Sequence, residues 1–142
     1  QSLITYSKNV GQVYSEKYAG GFVGEIEGKG VDISKCYNYG EIAVNNNDGA
    51  VGGFIGIAVN PSRDTNISNS DNFGRIKATD NNSGSMYMGG FVGYVASSSN
   101  KVYFKNCAQV GIINSGDINK SGYFIYDENK VEHNSRKAFS KY

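Results

Sequence analysis

One pentapeptide recurs along the chain and limits the possible folds more than any other feature. It reads Gly-Gly-Phe-Val-Gly from residue 20, Gly-Gly-Phe-Ile-Gly from residue 52 and Gly-Gly-Phe-Val-Gly from residue 89. A degenerate copy, Gly-Tyr-Phe-Ile-Tyr, starts at residue 122, so successive copies lie 32, 37 and 33 residues apart. A period of this length predicts a stack of repeats, each burying its apolar side chains against its neighbours.

A second motif alternates in step with the first. It occupies residues 33–42, 67–76 and 104–113, and residues 7–13 match its last part. The two motifs together predict one repeat domain over residues 1–142, with residues 127–142 as a C-terminal cap or partial coil. Because Gln1 lies inside a repeat, we expect the chain to be a fragment of a longer protein.

The composition selects a β architecture for these repeats. Helical repeats require segments of about ten or more residues with helical spacing, rich in Leu, Ala and Glu. This chain instead has 19 Gly, 11 Tyr and 7 Phe among its 142 residues. The first repeat contains three strand-like runs, at residues 22–26, 31–33 and 41–44, separated by glycine- or asparagine-rich turns. We therefore predict an all-β fold, a right-handed parallel β-helix of about 3.5–4 coils with one coil per repeat.

Aligning the repeats places side chains of one type in the same column of the predicted stack. Aromatic and aliphatic columns should form the core, because alternate residues of a strand face the same side. The core columns are Phe22, Phe54, Phe91 and Phe124; Val13, Ile42, Ile76 and Ile113; and Ile33, Ile67 and Phe104.

An amide column precedes a glycine column in the second motif. Stacked amides can hydrogen-bond from one coil to the next and satisfy the backbone of a buried turn. The glycines are predicted to hold φ > 0 at that turn, a conformation that glycine adopts at no steric cost. The amides are Asn9, Asn38, Asn72 and Gln109, and the glycines are Gly11, Gly40, Gly74 and Gly111.

At these residues the chain resembles a known repeat family. The Gly-Gly-Phe-Val-Gly copies, each followed by a Cys/Ser-x-Asn-x-Gly-x-Ile segment, are similar to the GLUG motif over about residues 7–126. This chain has Phe where the name of the motif implies Leu. GLUG repeats occur in large bacterial surface proteins, including adhesin-like proteins and non-catalytic parts of immunoglobulin A metallopeptidases. The resemblance implies a secreted or wall-attached host protein and does not name a ligand.

The residues that could carry catalysis favour structural roles. His133 aligns with the core position of Phe104, and no His-Glu-x-x-His zinc motif is present. Cys36 and Cys107 share a column two repeats apart, about 9.6 Å at two strand spacings, which is too far for a disulfide. We therefore predict two free, buried thiols and no catalytic residue.

A carbohydrate-active β-helix is the enzymatic alternative, since β-helical polysaccharide lyases use carboxylates, calcium and a basic residue. Its candidate residues are Asp32, Glu41, Asp71 and Arg75. Glu41 and Arg75, however, are more simply explained as a charge pair between neighbouring strands. The corners at residues 45–48 and 80–82 offer oxygen ligands for calcium, but the chain lacks the strict nonapeptide spacing of calcium-binding β-rolls. We predict no metal site and no cofactor.

Tyrosines predicted to face outward are the candidate binding residues, namely Tyr37, Tyr87, Tyr94 and Tyr103. Tyrosine offers a large, rigid and amphipathic surface for recognition, although it also simply favours strands. A net charge of +1 gives no reason to expect nucleic acid as a partner, and no apolar run reaches about 18 residues. The sequence favours an extracellular, non-catalytic module that binds a surface protein or glycan or acts as a spacer; an accessory region of a surface peptidase is a further alternative.

Overall fold

The computed structural model describes residues 2–45, 49–59, 64–78, 87–96, 102–114, 121–122 and 131–136. Every secondary-structure element in these ranges is a β-strand, so the all-β prediction is confirmed. A helix long and apolar enough to cross a membrane does not occur in the described ranges.

The strands are short, and most contain two to five residues. In chain order they are β1 (Ser2–Thr5), β2 (Lys8–Asn9), β3 (Val13–Ser15), β4 (Tyr18–Gly20), β5 (Val23–Glu27), β6 (Val31–Ser34), β7 (Tyr37–Asn38), β8 (Ile42–Val44), β9 (Ala50–Gly52), β10 (Ile55–Val59), β11 (Thr65–Ser68), β12 (Asp71–Asn72), β13 (Ile76–Ala78), β14 (Tyr87–Gly89), β15 (Val92–Ala96), β16 (Val102–Gln109), β17 (Ile113–Asn114), β18 (Ser121–Gly122) and β19 (Val131–Arg136).

Each described strand pairs in parallel with the equivalent strand of the neighbouring repeat, which produces four parallel sheets. The largest runs β1-β6-β11-β16-β12-β7-β2, with β19 also paired to β16. The others run β15-β10-β5, β17-β13-β8-β3 and β18-β14-β9-β4. β16 continues through a corner at which the other repeats break into two strands, so it joins both sets of strands into one sheet. The arrangement is solenoid-like.

The prediction of three strands per repeat was wrong, because the second repeat contains five. The additional strands are β9, which ends at the first glycine of the Gly-Gly pair, and the two-residue β12. Residues such as Gly and Asn have low intrinsic strand preference, so composition does not reveal these segments. They become strands because the neighbouring repeats supply hydrogen-bond partners for their backbones.

Alternation along the strands sets which side chains form the core. In β6, Val31 and Ile33 are buried, whereas Asp32 and Ser34 are partly exposed. Ile33 lies opposite Ile67, and Ile67 lies opposite Phe104. A shift of one residue would turn Asp32 inward, so burial of one face fixes the register.

The aromatic column of the first motif is continuous through three repeats. The ring centroids of Phe22 and Phe54 lie 4.9 Å apart, and those of Phe54 and Phe91 lie 4.7 Å apart, both tilted. Phe104 then packs edge-on against Phe91 at 5.3 Å. Phe54 and Phe91 are fully buried, so each ring excludes water from its neighbours. Phe124 lies outside the described residues.

The amide column of the second motif forms a chain of hydrogen bonds. The Nδ2 of Asn9 donates to Asn38 Oδ1 at 2.9 Å, and Asn38 donates in the same way to Asn72 at 2.8 Å. Asn72 donates to Gln109 Oε1 at 2.7 Å. Each amide also donates to the carbonyl two residues later, at 2.8–3.1 Å. The column therefore satisfies turn backbone that is otherwise shielded from water.

The glycine column has a different cause from the one predicted. Gly28 is the described glycine with φ > 0, so the expectation for Gly11, Gly40, Gly74 and Gly111 was wrong. A Cβ at Gly74 would instead collide with the carbonyl oxygen of Gly40 in the preceding repeat, and a Cβ at Gly111 with that of Gly74. Close approach of neighbouring repeats therefore requires glycine at these positions.

Cys36 and Cys107 are buried and are not joined by a disulfide, as predicted. The backbone N–H of Cys36 donates a hydrogen bond to the hydroxyl of Ser70 at 3.1 Å. Burial raises the pKa of the Cys36 thiol above its ordinary value. This protonated, enclosed thiol is typical of a small core residue.

Candidate functional site

A corner of the largest sheet is built the same way in four repeats but has different side chains. Its residues are Tyr6, Lys35, Asn69 and Asn106, with φ between 50° and 54°. Asparagine tolerates this left-handed conformation, whereas bulky residues rarely adopt it. Backbone hydrogen bonds from one repeat to the next, such as Lys35 N to Ser68 O at 3.1 Å, hold the corner.

The side chains of the corner pair differently in the two halves of the column. Asn106 donates an amide hydrogen to Asn69 Oδ1 at 2.8 Å. Lys35 Nζ donates to the Tyr6 hydroxyl oxygen at 2.6 Å and lies 4.7 Å from the ring centroid. The ammonium is closer to the oxygen than to the ring, so the hydrogen bond is the principal contact. That bond raises the pKa of Lys35, which is cationic at neutral pH.

Beside this pair the surface forms an open cleft of about 450 Å³, which we call the tyrosine–lysine cleft. Tyr6 and Lys35 come from the corner, and Lys8 and Tyr37 come from the paired strands β2 and β7. The lining residues are Tyr6, Ser7, Lys8, Lys35, Tyr37 and Tyr39. Three phenol rings and two ammonium groups thus share one concave surface.

An exposed aromatic pair extends this surface into the next repeat. Tyr39 stacks on Phe73 with centroids 5.1 Å apart and planes 13° apart. Both rings are exposed, Tyr39 by 52% and Phe73 by 41%. They occupy the position between the buried amide and the glycine, so alternation along the chain turns them outward. The stack fixes the orientation of the Tyr39 ring, which also lines the cleft.

The structure does not gather the four predicted binding tyrosines into one site. Tyr37 lines the tyrosine–lysine cleft. Tyr87 and Tyr94 stack on each other at 4.3 Å and are half-buried, away from the residues that line the cleft. Tyr103 is exposed by 39% in an outward column of β16.

Sequence reasoning missed Tyr6 and Tyr39, which are more exposed than any of those four. The signal for Tyr39 was available, because a residue between a buried amide and a buried glycine must face outward. Tyr6 gave no such signal, because its aligned residues are Lys35, Asn69 and Asn106.

The residues considered for a lyase each have a protein partner. Asp32 accepts a hydrogen bond from Asn66, and Asp71 accepts one from the backbone N–H of Ala108. Glu41 accepts from the Tyr14 hydroxyl, which raises the pKa of Tyr14, and lies 3.9 Å from Arg75. The predicted Glu41–Arg75 pair is therefore present.

The described residues include part of the predicted C-terminal cap but only part of the candidate calcium corners. The backbone of His133 pairs with that of Phe104, which confirms the aligned register. Among the described residues, His, Cys, Asp and Glu side chains do not form a group of three or more that could hold a metal. Residues 46–48 and 80–82 of the candidate calcium corners lie outside the described ranges.

Comparison with known proteins does not assign the chain. No family model matches it, and no curated protein or solved structure is similar to it.

Proposed function

We propose that this chain is a non-catalytic module of a larger bacterial cell-surface protein that binds a glycan or protein along one flank. In this proposal the four parallel sheets are the faces of a right-handed β-helix of about 3.5–4 coils, with one repeat per coil. The pairing of each described strand with its equivalent in the next repeat supports that geometry. The resemblance to GLUG repeats supports the extracellular setting.

The contrast between inward and outward columns is the observation that carries the binding role. The inward column of β1, β6, β11 and β16 contains Ile4, Ile33, Ile67 and Phe104, which are all apolar. The neighbouring outward column contains Leu3, Asp32, Asn66 and Tyr103, which are aliphatic, acidic, amide and aromatic in turn. The interior is repeated because stacking requires it, whereas the exterior is free to present a particular surface.

The tyrosine–lysine cleft is a concave part of that exterior that brings together tyrosines and lysines. Tyrosine supplies large contact area at little entropic cost, and lysine supplies charge and hydrogen-bond donors. A stalk that only separates other domains gains nothing from exposing Tyr6 and Tyr39 to water. The cleft therefore favours a binding module over a spacer.

An array of glycans and surface glycoproteins tests this function. We expect saturable binding that weakens in Tyr39→Ala and is retained in Tyr14→Ala, which removes an equally exposed tyrosine outside the cleft. Uronate polymers incubated with the protein should gain no ultraviolet absorbance from unsaturated products. Absence of binding across the array, or turnover of the polymer, would contradict the proposal.

A further inference from the structure

We infer that the tyrosine–lysine cleft binds an acidic carbohydrate, with its acid group at Lys8 and Lys35 and a sugar ring against Tyr39. This inference rests on the proposed function, because it assigns a ligand class to the flank that the proposal makes a binding surface.

The charge of the cleft selects an anion. Of the described residues that line it, the two charged ones are Lys8 and Lys35. An ammonium group has three N–H donors, and the bond from Lys35 to the Tyr6 oxygen uses one of them. The Tyr6 hydroxyl accepts that bond and retains its own proton for donation. The pair can therefore offer several donors to one carboxylate or sulfate.

The aromatic surface selects a ligand that also has an apolar face. A pyranose ring presents axial C–H groups on one side and hydroxyls at its edge, and aromatic faces carry the complementary negative potential. Tyr39 is held in place by its stack on Phe73 and lines the same cleft as the two lysines. Hydroxyls of Tyr37 and Ser7 lie at the same surface and can pair with those of the sugar.

The size and shape of the cleft favour a small glycan segment over a protein partner. A volume of about 450 Å³ lies within the range of small-molecule sites. A stable protein interface covers about 800 Å² on each partner and is usually flat, with an apolar centre. A cleft lined by one lysine from a strand and one from the corner has instead the shape and charge for one or two acidic sugar residues.

The backbone gives independent support for a ligand role at this corner. Tyr6 and Lys35 hold φ of 51° and 54°, a costly conformation for such side chains, where the next two repeats have asparagine. Strained backbone of this kind is enriched at ligand sites, since folding by itself favours the less strained residue. The two residues with this strained backbone are hydrogen-bonded to each other, and both line the cleft.

Matched ligands provide the first test. Titration followed by ¹H–¹⁵N NMR would compare oligogalacturonate with its methyl ester, and sialyllactose with lactose. We expect at least one acid to bind about fivefold or more tightly than its neutral partner and to lose affinity with added salt, because exposed charges are screened. The shifted amides should include those of residues 6–8 and 35–39.

Matched variants provide the second test. Lys35→Asn keeps a residue suited to the corner and should weaken binding of the acid about threefold. Lys29→Met removes an exposed lysine outside the cleft and should leave affinity unchanged. Tyr39→Ala should weaken the acid and its neutral partner by the same factor, since it removes the shared contact with the sugar ring.

The outcomes separate this inference from the function on which it rests. Equal binding of acid and neutral forms would overturn the acidic ligand and leave a glycan-binding module. Binding of a glycoprotein through its polypeptide, with neither acid bound, would replace the carbohydrate by a protein partner. If acids bind but Lys35→Asn has no effect, the cleft is not the site. If nothing binds, the proposed function fails as well.

Discussion

The left-handed corner has the same backbone conformation in four repeats, but its side chains differ. The first two repeats have tyrosine and lysine there, and the next two have asparagine. Asn69 and Asn106 suit φ near 50° and form an amide pair at 2.8 Å. Tyr6 and Lys35 hold the same φ at greater cost and pair at the edge of an open cleft. The difference shows that stacking fixes the corner backbone, while the side chains on it can be used for recognition.

The inside of the stack has no such freedom. The buried columns repeat one residue type because each side chain contacts its own equivalent in the next repeat. Substitutions inside should therefore be costly and propagate to both neighbours, whereas substitutions at the corner should be mild. The predictions below test that contrast, from the largest expected effect to the smallest.

Phe54→Ala should have the largest effect. The ring is fully buried between Phe22 and Phe91, so its removal leaves a cavity and costs about 3–5 kcal/mol of unfolding free energy. Phe22→Ala, in a partly exposed ring at the edge of the column, should cost clearly less. Urea denaturation of both variants checks the difference, and equal costs would show that the column is not a cooperative stack.

Asn72→Leu should cost roughly 3 kcal/mol, because it leaves buried polar groups without partners. The groups that lose a partner are the side-chain N–H of Asn38, the side-chain carbonyl of Gln109 and the backbone carbonyl of Gly74. Asn72→Gln should be milder, since Gln109 already occupies this column.

The control for this column is Asn45→Leu, in an exposed corner, which should be nearly neutral. The measurement is the urea midpoint at constant slope. Similar midpoints for Asn72→Leu and Asn45→Leu would mean that the amide column is a surface turn preference.

Gly74→Ala should cost roughly 1–3 kcal/mol by overpacking, because its Cβ would meet the Gly40 carbonyl oxygen and the Asn38 amide. Gly11→Ala is the matched control in the same column, since the nearest atom that its Cβ would meet is Oδ1 of Asn9, at 3.8 Å. Thermal unfolding of the two variants is sufficient. An equal loss at both positions would point to a local turn requirement instead of contact between repeats.

The sequence predicted the interior well because stacking leaves a periodic signal. The columns of Phe54, Asn72 and Ile76 follow from the alignment of the repeats, and the structure places each against its equivalent. Handedness and coil geometry leave no such signal in the residue types, so they remain proposals. Glycine is required at residues 40, 74 and 111 of the second motif, but the predicted reason was wrong, because a sequence does not distinguish torsional need from close approach.

The outer surface was predicted poorly because its binding residues leave no periodic signal. The corner column of Tyr6, Lys35, Asn69 and Asn106 does not repeat one residue type, so Tyr6 and Lys35 have no equivalents to indicate their role. Their left-handed backbone was also hidden, since neither residue type indicates φ > 0. Tyr37 was identified because tyrosine is a general recognition residue, and Tyr87 and Tyr94 were chosen on the same grounds although they stack on each other.

Lys35→Asn has the smallest expected effect. It tests most directly the claim that Tyr6 and Lys35 are retained at the corner for their side chains and not for stability. Lys35→Asn removes the exposed bond to Tyr6 but relieves the left-handed strain and places an amide beside Asn69. We predict that the variant is more stable than the natural chain by about 0.5–1 kcal/mol, as a higher urea midpoint at unchanged slope. A lower midpoint would contradict the account, because lysine would then be the residue that the fold itself prefers.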